Sequence, residues 1–469
     1  MEIILIKALQ LIACLSLLVF IHEGGHFLFA KFSGVKVEKF YLFFNPYFHI
    51  FSTRDKWFTR LFPYFKDNET EYGIGWLPLG GYVSIAGMVD ETKSAEDIAA
   101  REPEESDFNQ KSVWRRFLIM FGGVLFNLIG ALVIYSAIVF TWGRDILPMR
   151  NLPNGLNFNH IAHEIGFRNG DIPIKIDGEE IEGFSKALMM DISEASVVTV
   201  LRDGQTLDIE MPEEGVSLLE MQKEPMFFSV PTKPIIGEVA EGTPAEKYGI
   251  RKGDTILEVG SAPVYDIRDV TLELGRRLDI IGAEGCTRED SLRALNLSVV
   301  VLHANAATPD TLQMQLADDV KLGVIWDDAQ FKDIQTEHIS YGFLQSIPAG
   351  FQLAWKTLSD YVVSLKYLFD KEGVQQVGSF LTIGNLFPSI WDWQGFWNLT
   401  AFISIILAVM NILPIPGLDG GHIVLLLYEG IMRRQPSPRV MDVIEKVGLL
   451  LLLGLMILAI GNDVFRFIL

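Results

Sequence analysis

Apolar residues along the chain gather into four long runs separated by polar stretches. Ile3–Ala30 is interrupted mainly by Lys7, Gln10 and the cluster His22, Glu23, His26. Phe117–Trp142 is entered after Trp114, Arg115 and Arg116, and Phe396–Leu413 runs on through a Pro/Gly-rich segment to Tyr428. The last run, Val447–Ile460, extends toward Ile468. A helix of roughly 20 residues crosses the ~30 Å apolar core of a bilayer, so each run is predicted to span a membrane. The tryptophans flanking the second run fit the interfacial belts of such spans. Ser340–Phe369 is different: Gln345, Gln352, Lys356, Asp360 and Lys366 are spread along it, which suits an amphipathic helix lying on the membrane surface. The first run lacks a basic n-region and an Ala-x-Ala cleavage site and is read as retained.

Loop charge sets orientation. Lys31, Lys36, Lys39, Arg54, Lys56, Arg60 and Lys66 follow the first run, and Arg433, Arg434, Arg439 and Lys446 lie between the third and fourth. Both loops are therefore predicted to be cytoplasmic, with residues 143–395 and both termini on the other side. A fifth span would separate the two basic loops. The acidic stretch Glu91–Asp107 carries little weight in this rule.

Within the outer region, Gly166-Phe-Arg-Asn-Gly170-Asp171-Ile recurs 83 residues later as Gly249-Ile-Arg-Lys-Gly253-Asp254-Thr. Each copy leads into an apolar strand-like run, Ile172–Ile176 or Ile256–Val259, and then a turn at Asp177-Gly178 or Gly260-Ser261. Thr243-Pro244 fits the cap and first turn of a short helix ahead of the second copy. The succession of helix, Gly-Asp, strand, turn and strand resembles a circularly permuted bacterial PDZ domain, present twice. Residues 281–297 read as a loop elaborating the second copy.

Composition narrows the classes. Charged residues are only 21% of the chain, and 39 Lys+Arg against 59 Asp+Glu leave a net charge of −20. That balance excludes a nucleic-acid partner, because phosphate binding needs clustered Lys and Arg. Two cysteines, Cys14 and Cys286, exclude a disulfide framework and a cysteine-built zinc cluster.

The chemistry lies in the apolar runs. His22-Glu23-Gly24-Gly25-His26 is an HExxH motif: residues four apart share a helix face, so both imidazoles can meet one Zn²⁺ beside a glutamate able to take a proton from bound water. Ionisable groups within an apolar helix are costly unless liganded or paired. A catalytic zinc has three protein ligands and an open position. The candidates for the third are Asp419 and His422, on the segment Asn411-Ile-Leu-Pro414-Ile-Pro416-Gly-Leu-Asp419-Gly420-Gly421-His422 that interrupts the third run.

HExxH in the first span together with Asn-x-x-Pro-x-Pro-x-Leu-Asp-Gly-Gly in the third resembles the site-2 protease family, intramembrane zinc metalloproteases. The two PDZ-like repeats, Gly73-Ile-Gly-Trp-Leu-Pro-Leu-Gly80-Gly81-Tyr-Val and Phe121-Gly-Gly-Val-Leu-Phe-Asn127 resemble its RseP-type branch, regulators of envelope stress. The resemblance implies a polytopic α-helical membrane protein with four transmembrane helices and two extracytoplasmic PDZ-like α+β domains. It implies His22, His26 and Asp419 as zinc ligands and Glu23 as catalytic base. The substrates it implies are single-span membrane proteins, an anti-sigma factor already trimmed outside the membrane or remnant signal peptides, cleaved in the inner membrane of a bacterium with the PDZ-like domains in the periplasm. The sequence departs from the family at Phe43-Phe44-Asn45-Pro46, where a Gly-Phe-Gly turn is common, in the long aromatic segment Tyr47–Lys66, and at Ile406, where some relatives carry an asparagine.

The expected map assigns 1–32 to the first span, 33–112 to a cytoplasmic loop, 113–143 to the second span, and 150–232 and 233–330 to the PDZ-like domains. It continues with 338–395 as the surface helix and connector, 396–430 as the third span and 443–469 as the fourth. Residues 73–83 are expected to fold into the membrane edge as a strand-like loop. There Gly73, Gly75, Gly80 and Gly81 would let the backbone pair with an unwound substrate, and Asn411 would hold a freed substrate backbone group. Asn127 is expected to join helices beside Gly122 and Gly123. A membrane scaffold capturing envelope peptides is the competing reading, but it gives Glu23 no task; a zinc transporter would need more polar positions than the other spans offer.

Overall fold

A computed structural model describes residues 2–66, 68–88, 102–327 apart from positions 153, 186, 214, 224–225, 284, 305 and 318, then 335–366, 378–434 and 438–467. The acidic stretch Glu91–Asp107 lies outside the described residues as far as 101, and so does part of the connector, 367–377. The chain divides into two units, Met1–Arg144 with Ser340–Leu469, and Asp145–Ile339.

The first unit is helical. Among the described residues, four helices are long and apolar enough to cross a bilayer: Ile3–Phe32, Val113–Trp142, Trp393–Ile412 and Lys446–Phe465. They belong to α1 (Glu2–Phe32), α2 (Val113–Trp142), α4 (Trp393–Ile412) and α6 (Pro438–Phe467), and they coincide with the four apolar runs. The helix predicted around Ser340–Phe369 is α3 (Phe343–Ser364) and is not among the four. Its Leu353, Ala354 and Leu358 pack on Ala131, Ile134 and Tyr135 of α2 and on Ala401 and Ile405 of α4. Ile347, Phe351 and Trp355 on α3 remain exposed, so it has two apolar faces, one of them taken by the spans.

The third run breaks after Ile412. Pro414 and Pro416 have no N–H to continue the ladder, and Gly417 takes a φ of +89°. The chain then starts α5 (Asp419–Met432), with Asp419 in its first turn. Gly420 lies so close under the turn that a Cβ there would sit 2.0 Å from the Leu413 carbonyl oxygen. A partly buried ion pair between Arg116 of α2 and Glu429 of α5 joins these two helices.

Between α1 and α2 the backbone makes one antiparallel sheet from β1 (Val37–Ser52) and β2 (Glu71–Ile85). β1 bends where Phe43 and Tyr47 adopt φ of 72° and 73°. Its first part, Lys39–Leu42, pairs both with Gly81–Ser84 and with Glu71–Ile74, while His49–Ser52 pairs with the other side of Gly73–Gly75. The strand segments therefore lie in the order 81–85, 37–42, 71–75, 49–52.

The second unit confirms the internal repeat. Its first sheet runs Glu179–Glu180, Ile172–Ile176, Val197–Arg202, Gln205–Glu210, and its second Ala262–Pro263, Thr255–Val259, Asn296–Leu302, Asp310–Gln315, the same antiparallel order twice. Alternate residues point inward as the pleat requires: Val198 and Val200 in one core, Val299 and Val301 in the other. The predicted turns have positive φ at both central residues, Asp177-Gly178 and Gly260-Ser261, which suits tight hairpins. The repeated aspartates are structural. Asp171 accepts from Arg168 N and, at 2.7 Å each, from Arg202 Nε and Nη2; Asp254 accepts from Arg251 N and pairs with His303 Nδ1 at 2.8 Å. The expectation of a loop across 281–297 is corrected: Arg288–Leu295 is a helix, started by a reciprocal cap between Thr287 and Asp290.

Candidate metal centre

His22 and His26 stand one turn apart on α1, their rings nearly perpendicular with centroids 4.8 Å apart. Their Nε2 atoms approach to 3.2 Å. His26 Nδ1 lies 2.9 Å from the Ile119 carbonyl oxygen of α2. A carbonyl only accepts, so Nδ1 carries a proton, which leaves Nε2 as the nitrogen that can be given to a metal.

Asp419 arrives from the far end of the sequence. The Pro/Gly turn and the start of α5 bring its Oδ2 to 3.2 Å from His22 Nε2 and 3.4 Å from His26 Nε2. Among the described residues, these are the three side chains whose ligand atoms converge closely enough to share an ion. His422, the rival third ligand, is not in the group.

The donor set fits zinc. Corners of a tetrahedron about 2.0–2.1 Å from its centre stand about 3.3–3.4 Å apart, and the three edges here measure 3.2, 3.2 and 3.4 Å. Asp419 Oδ2 is buried without a hydrogen-bond partner. Two imidazole nitrogens and a carboxylate oxygen at this range need a proton or a metal cation between them, and the tetrahedral spacing of all three suits the metal.

Close helix approach makes the cluster sterically feasible. A Cβ on Gly25 would sit 2.2 Å from the Gly122 carbonyl oxygen, and one on Gly123 would sit 2.4 Å from His26 Nε2 and 2.6 Å from His22 Cε1. The α1–α2 contact thus requires glycine on both helices, and Gly123 leaves the room in which the imidazoles lie. Sequence reasoning assigned Gly123 only to a packing motif and had no signal for the Ile119 carbonyl, since a backbone acceptor leaves no trace in residue type.

Glu23 is half-buried, one position after His22. The Asn411 side-chain nitrogen lies 3.4 Å from His22 Nε2, on the margin of the same cluster. The four glycines of the hairpin divide. Gly73 is paired on both edges, with Tyr41 and with Ser52, and Gly75 is opposite His49, with Phe44 O where its Cβ would be. Gly73 is thus an interior position, and Gly75 is crowded by the Phe44 backbone. Gly80 and Gly81 lead into the outer segment, which among the described residues has no strand beyond it. A Cβ on Gly81 would meet Val19 of α1, one turn before His22, at 2.8 Å, so this segment runs close beside the helix that bears the motif.

A family model described as peptidase family M50 matches residues 10–455. Among similar proteins, the regulator of sigma E protease of Haemophilus influenzae is 27% identical, covering 97% of this chain and 98% of its own length. A Neisseria meningitidis protein provisionally named a zinc metalloprotease is 26% identical over 98% of both chains. A Thermotoga maritima protein with the same provisional name is 24% identical over 96% of this chain and 97% of its own.

Proposed function

This chain belongs to peptidase family M50, and from that premise we propose which of its residues carry the chemistry and what it cleaves. It is a site-2-type, intramembrane zinc metalloprotease. In our reading His22, His26 and Asp419 hold the zinc and Glu23 is the general base. The observation that carries this assignment is the triangle of 3.2, 3.2 and 3.4 Å closed by three ligand atoms from α1 and α5, two helices almost 400 residues apart in sequence.

Bound zinc supplies a Lewis acid that polarises a carbonyl and lowers the pKa of its water toward about 7. Glu23 takes the proton of the attacking water and hands it to the leaving amine, which keeps both transfers on one side chain. Asn411, beside His22, donates to a substrate carbonyl. A transmembrane substrate hides its peptide bonds in its own helix and must unwind before attack. The outer segment 81–85, with no strand beyond it among the described residues, offers an edge on which the unwound stretch can lie, held by main-chain hydrogen bonds. Gly73, with both edges engaged, and Gly75, paired with His49, give that segment its flat backing rather than touching substrate.

The substrates we propose are single-span membrane proteins: anti-sigma factors trimmed outside the membrane, or remnant signal peptides. The name of the Haemophilus influenzae relative supports the first class. We place the chain in a bacterial plasma membrane, and the loop charges support an orientation with residues 143–395 and both termini in the periplasm. The duplicated strand order of the second unit supports reading it as two PDZ-like domains.

The test uses purified protein and a single-span substrate without its outer domain. Glu23→Gln is expected to abolish cleavage while zinc stays bound. Cleavage at the wild-type rate would overturn the assignment of the base.

A further inference from the structure

Helix α2 supports both imidazoles from behind. Ile119 accepts from His26 Nδ1 through its carbonyl, and Asn127, two turns along the same face, brings its side-chain nitrogen to 3.3 Å from His22 Nδ1. Gly123 lies midway, under the two rings. Asn127 is fully buried, and its backbone carbonyl accepts from Ser404 Oγ of α4 at 2.8 Å, which fixes the residue between two spans. With the amide nitrogen turned to His22, Asn127 Oδ1 is buried without a hydrogen-bond partner. The two ends of an amide exchange by a half-turn about Cβ–Cγ and are told apart only by the hydrogen bonds they make.

We propose that Asn127 is the positioning residue of His22: its Oδ1 accepts the Nδ1–H of His22 when Nε2 is given to zinc, as the Ile119 carbonyl does for His26. The requirement is chemical. A neutral imidazole that offers its Nε2 lone pair carries its proton on Nδ1, and a buried N–H needs an acceptor. The Asn127 amide is the group at that nitrogen, and its oxygen is the atom left without a partner. Joining α2 to α4 needs only the backbone carbonyl and the Ser404 hydroxyl, so it does not explain an amide aimed at a ring nitrogen. Metal-ligating histidines are held through the second nitrogen in this way, which sets the tautomer and the ring's aim. The proposal rests on the zinc assignment above.

The full-length protein in detergent is compared with Asn127→Leu and Asn127→Asp, reading zinc retention against a graded chelator and the visible absorption of the Co²⁺-loaded form. Asn127→Leu is expected to weaken zinc binding by about 10–100-fold and to alter the Co²⁺ spectrum. Asn127→Asp, whose carboxylate accepts the same hydrogen bond, is expected to hold zinc at least as tightly as wild type. Wild-type affinity in Asn127→Leu, or equal losses in both variants, would overturn the proposal. If the leucine variant does not fold, the aspartate variant decides: retention supports the proposal and a loss beyond about tenfold overturns it. Wild-type protein that binds no zinc would overturn the zinc assignment itself, and the proposal with it.

Discussion

Replacing Gly123 with alanine tests whether the helix contact exists to make room for the ligands. The added methyl would lie 2.4 Å from His26 Nε2, 2.6 Å from His22 Cε1 and 2.9 Å from His22 Nδ1, whereas ordinary contact begins at 3.4 Å. Both rings must retreat by about 1 Å, half the length of a zinc–nitrogen bond of about 2.0–2.1 Å. Forcing such a group into a packed site costs about 1–3 kcal/mol. Alanine gains back up to about 1 kcal/mol over glycine inside a helix. The fold should therefore survive and the metal should not: zinc affinity is expected to fall by about 100-fold or more, the upper end of what disturbing a ligand's support costs. Gly24→Ala is the control, because nothing lies within 4 Å of its added methyl. Both variants are assayed for zinc retention against a chelator, for thermal unfolding in detergent and for cleavage. If Gly123→Ala kept wild-type zinc affinity and turnover, the steric reasoning about this contact would be refuted.

Asn411→Ala should retain zinc yet slow cleavage of a membrane-embedded substrate by about tenfold or more, the loss of one hydrogen bond to a developing charge; unchanged cleavage would remove Asn411 from the mechanism. Arg116→Ala should destabilise the protein by about 1–3 kcal/mol, because it removes the short ion pair that joins α2 to α5; a thermal-unfolding midpoint equal to wild type would contradict this. Tyr41→Phe removes the phenol that donates to Glu71 Oε1 at 2.6 Å, beside Ser52 Oγ at 2.7 Å. Burial pushes the Glu71 carboxyl up, but the donors from Tyr41 and Ser52 outweigh it and hold it below its ordinary value of 4.5. A depressed carboxyl stabilises the fold above its unfolded pKa and loses that contribution as pH falls through the folded value. The gap between Tyr41→Phe and wild type, about 1.5–3 kcal/mol at neutral pH, should thus close on acidification below 4.5 and persist at alkaline pH. A gap that widened in acid would be the wrong sign.

Much of this was legible in residue types because the features are long or chemically costly. Four apolar runs announce four spans, and two histidines with a glutamate inside one of them ask for a ligand or a partner. Asp419 could be nominated because it is a carboxylate within an apolar stretch that prolines and glycines break. What was not legible is what depends on backbone atoms or on contacts across the fold. The Ile119 carbonyl, the space above Gly123 and the partner of Asn127 appear only when α1 and α2 are set side by side. The return of His49–Ser52 onto the far edge of Gly73, which makes that glycine an interior position, depends on where β1 bends, at Phe43 and Tyr47, residues with no ordinary preference for positive φ. The helix Arg288–Leu295 was hidden by its polarity: its face is mostly charged, and only the Thr287–Asp290 cap marked its start.

The central claim is that one zinc ion sits within the membrane-embedded unit, held by His22, His26 and Asp419. X-ray absorption at the zinc edge, on active full-length protein and on Asp419→Ala, addresses it most directly. A site of this composition gives about one zinc per chain, a shell of nitrogen and oxygen at about 2.0–2.2 Å with imidazole scattering, and loss of the metal from the variant. A metal-free active enzyme, sulfur in the shell, or the same spectrum from Asp419→Ala would contradict it.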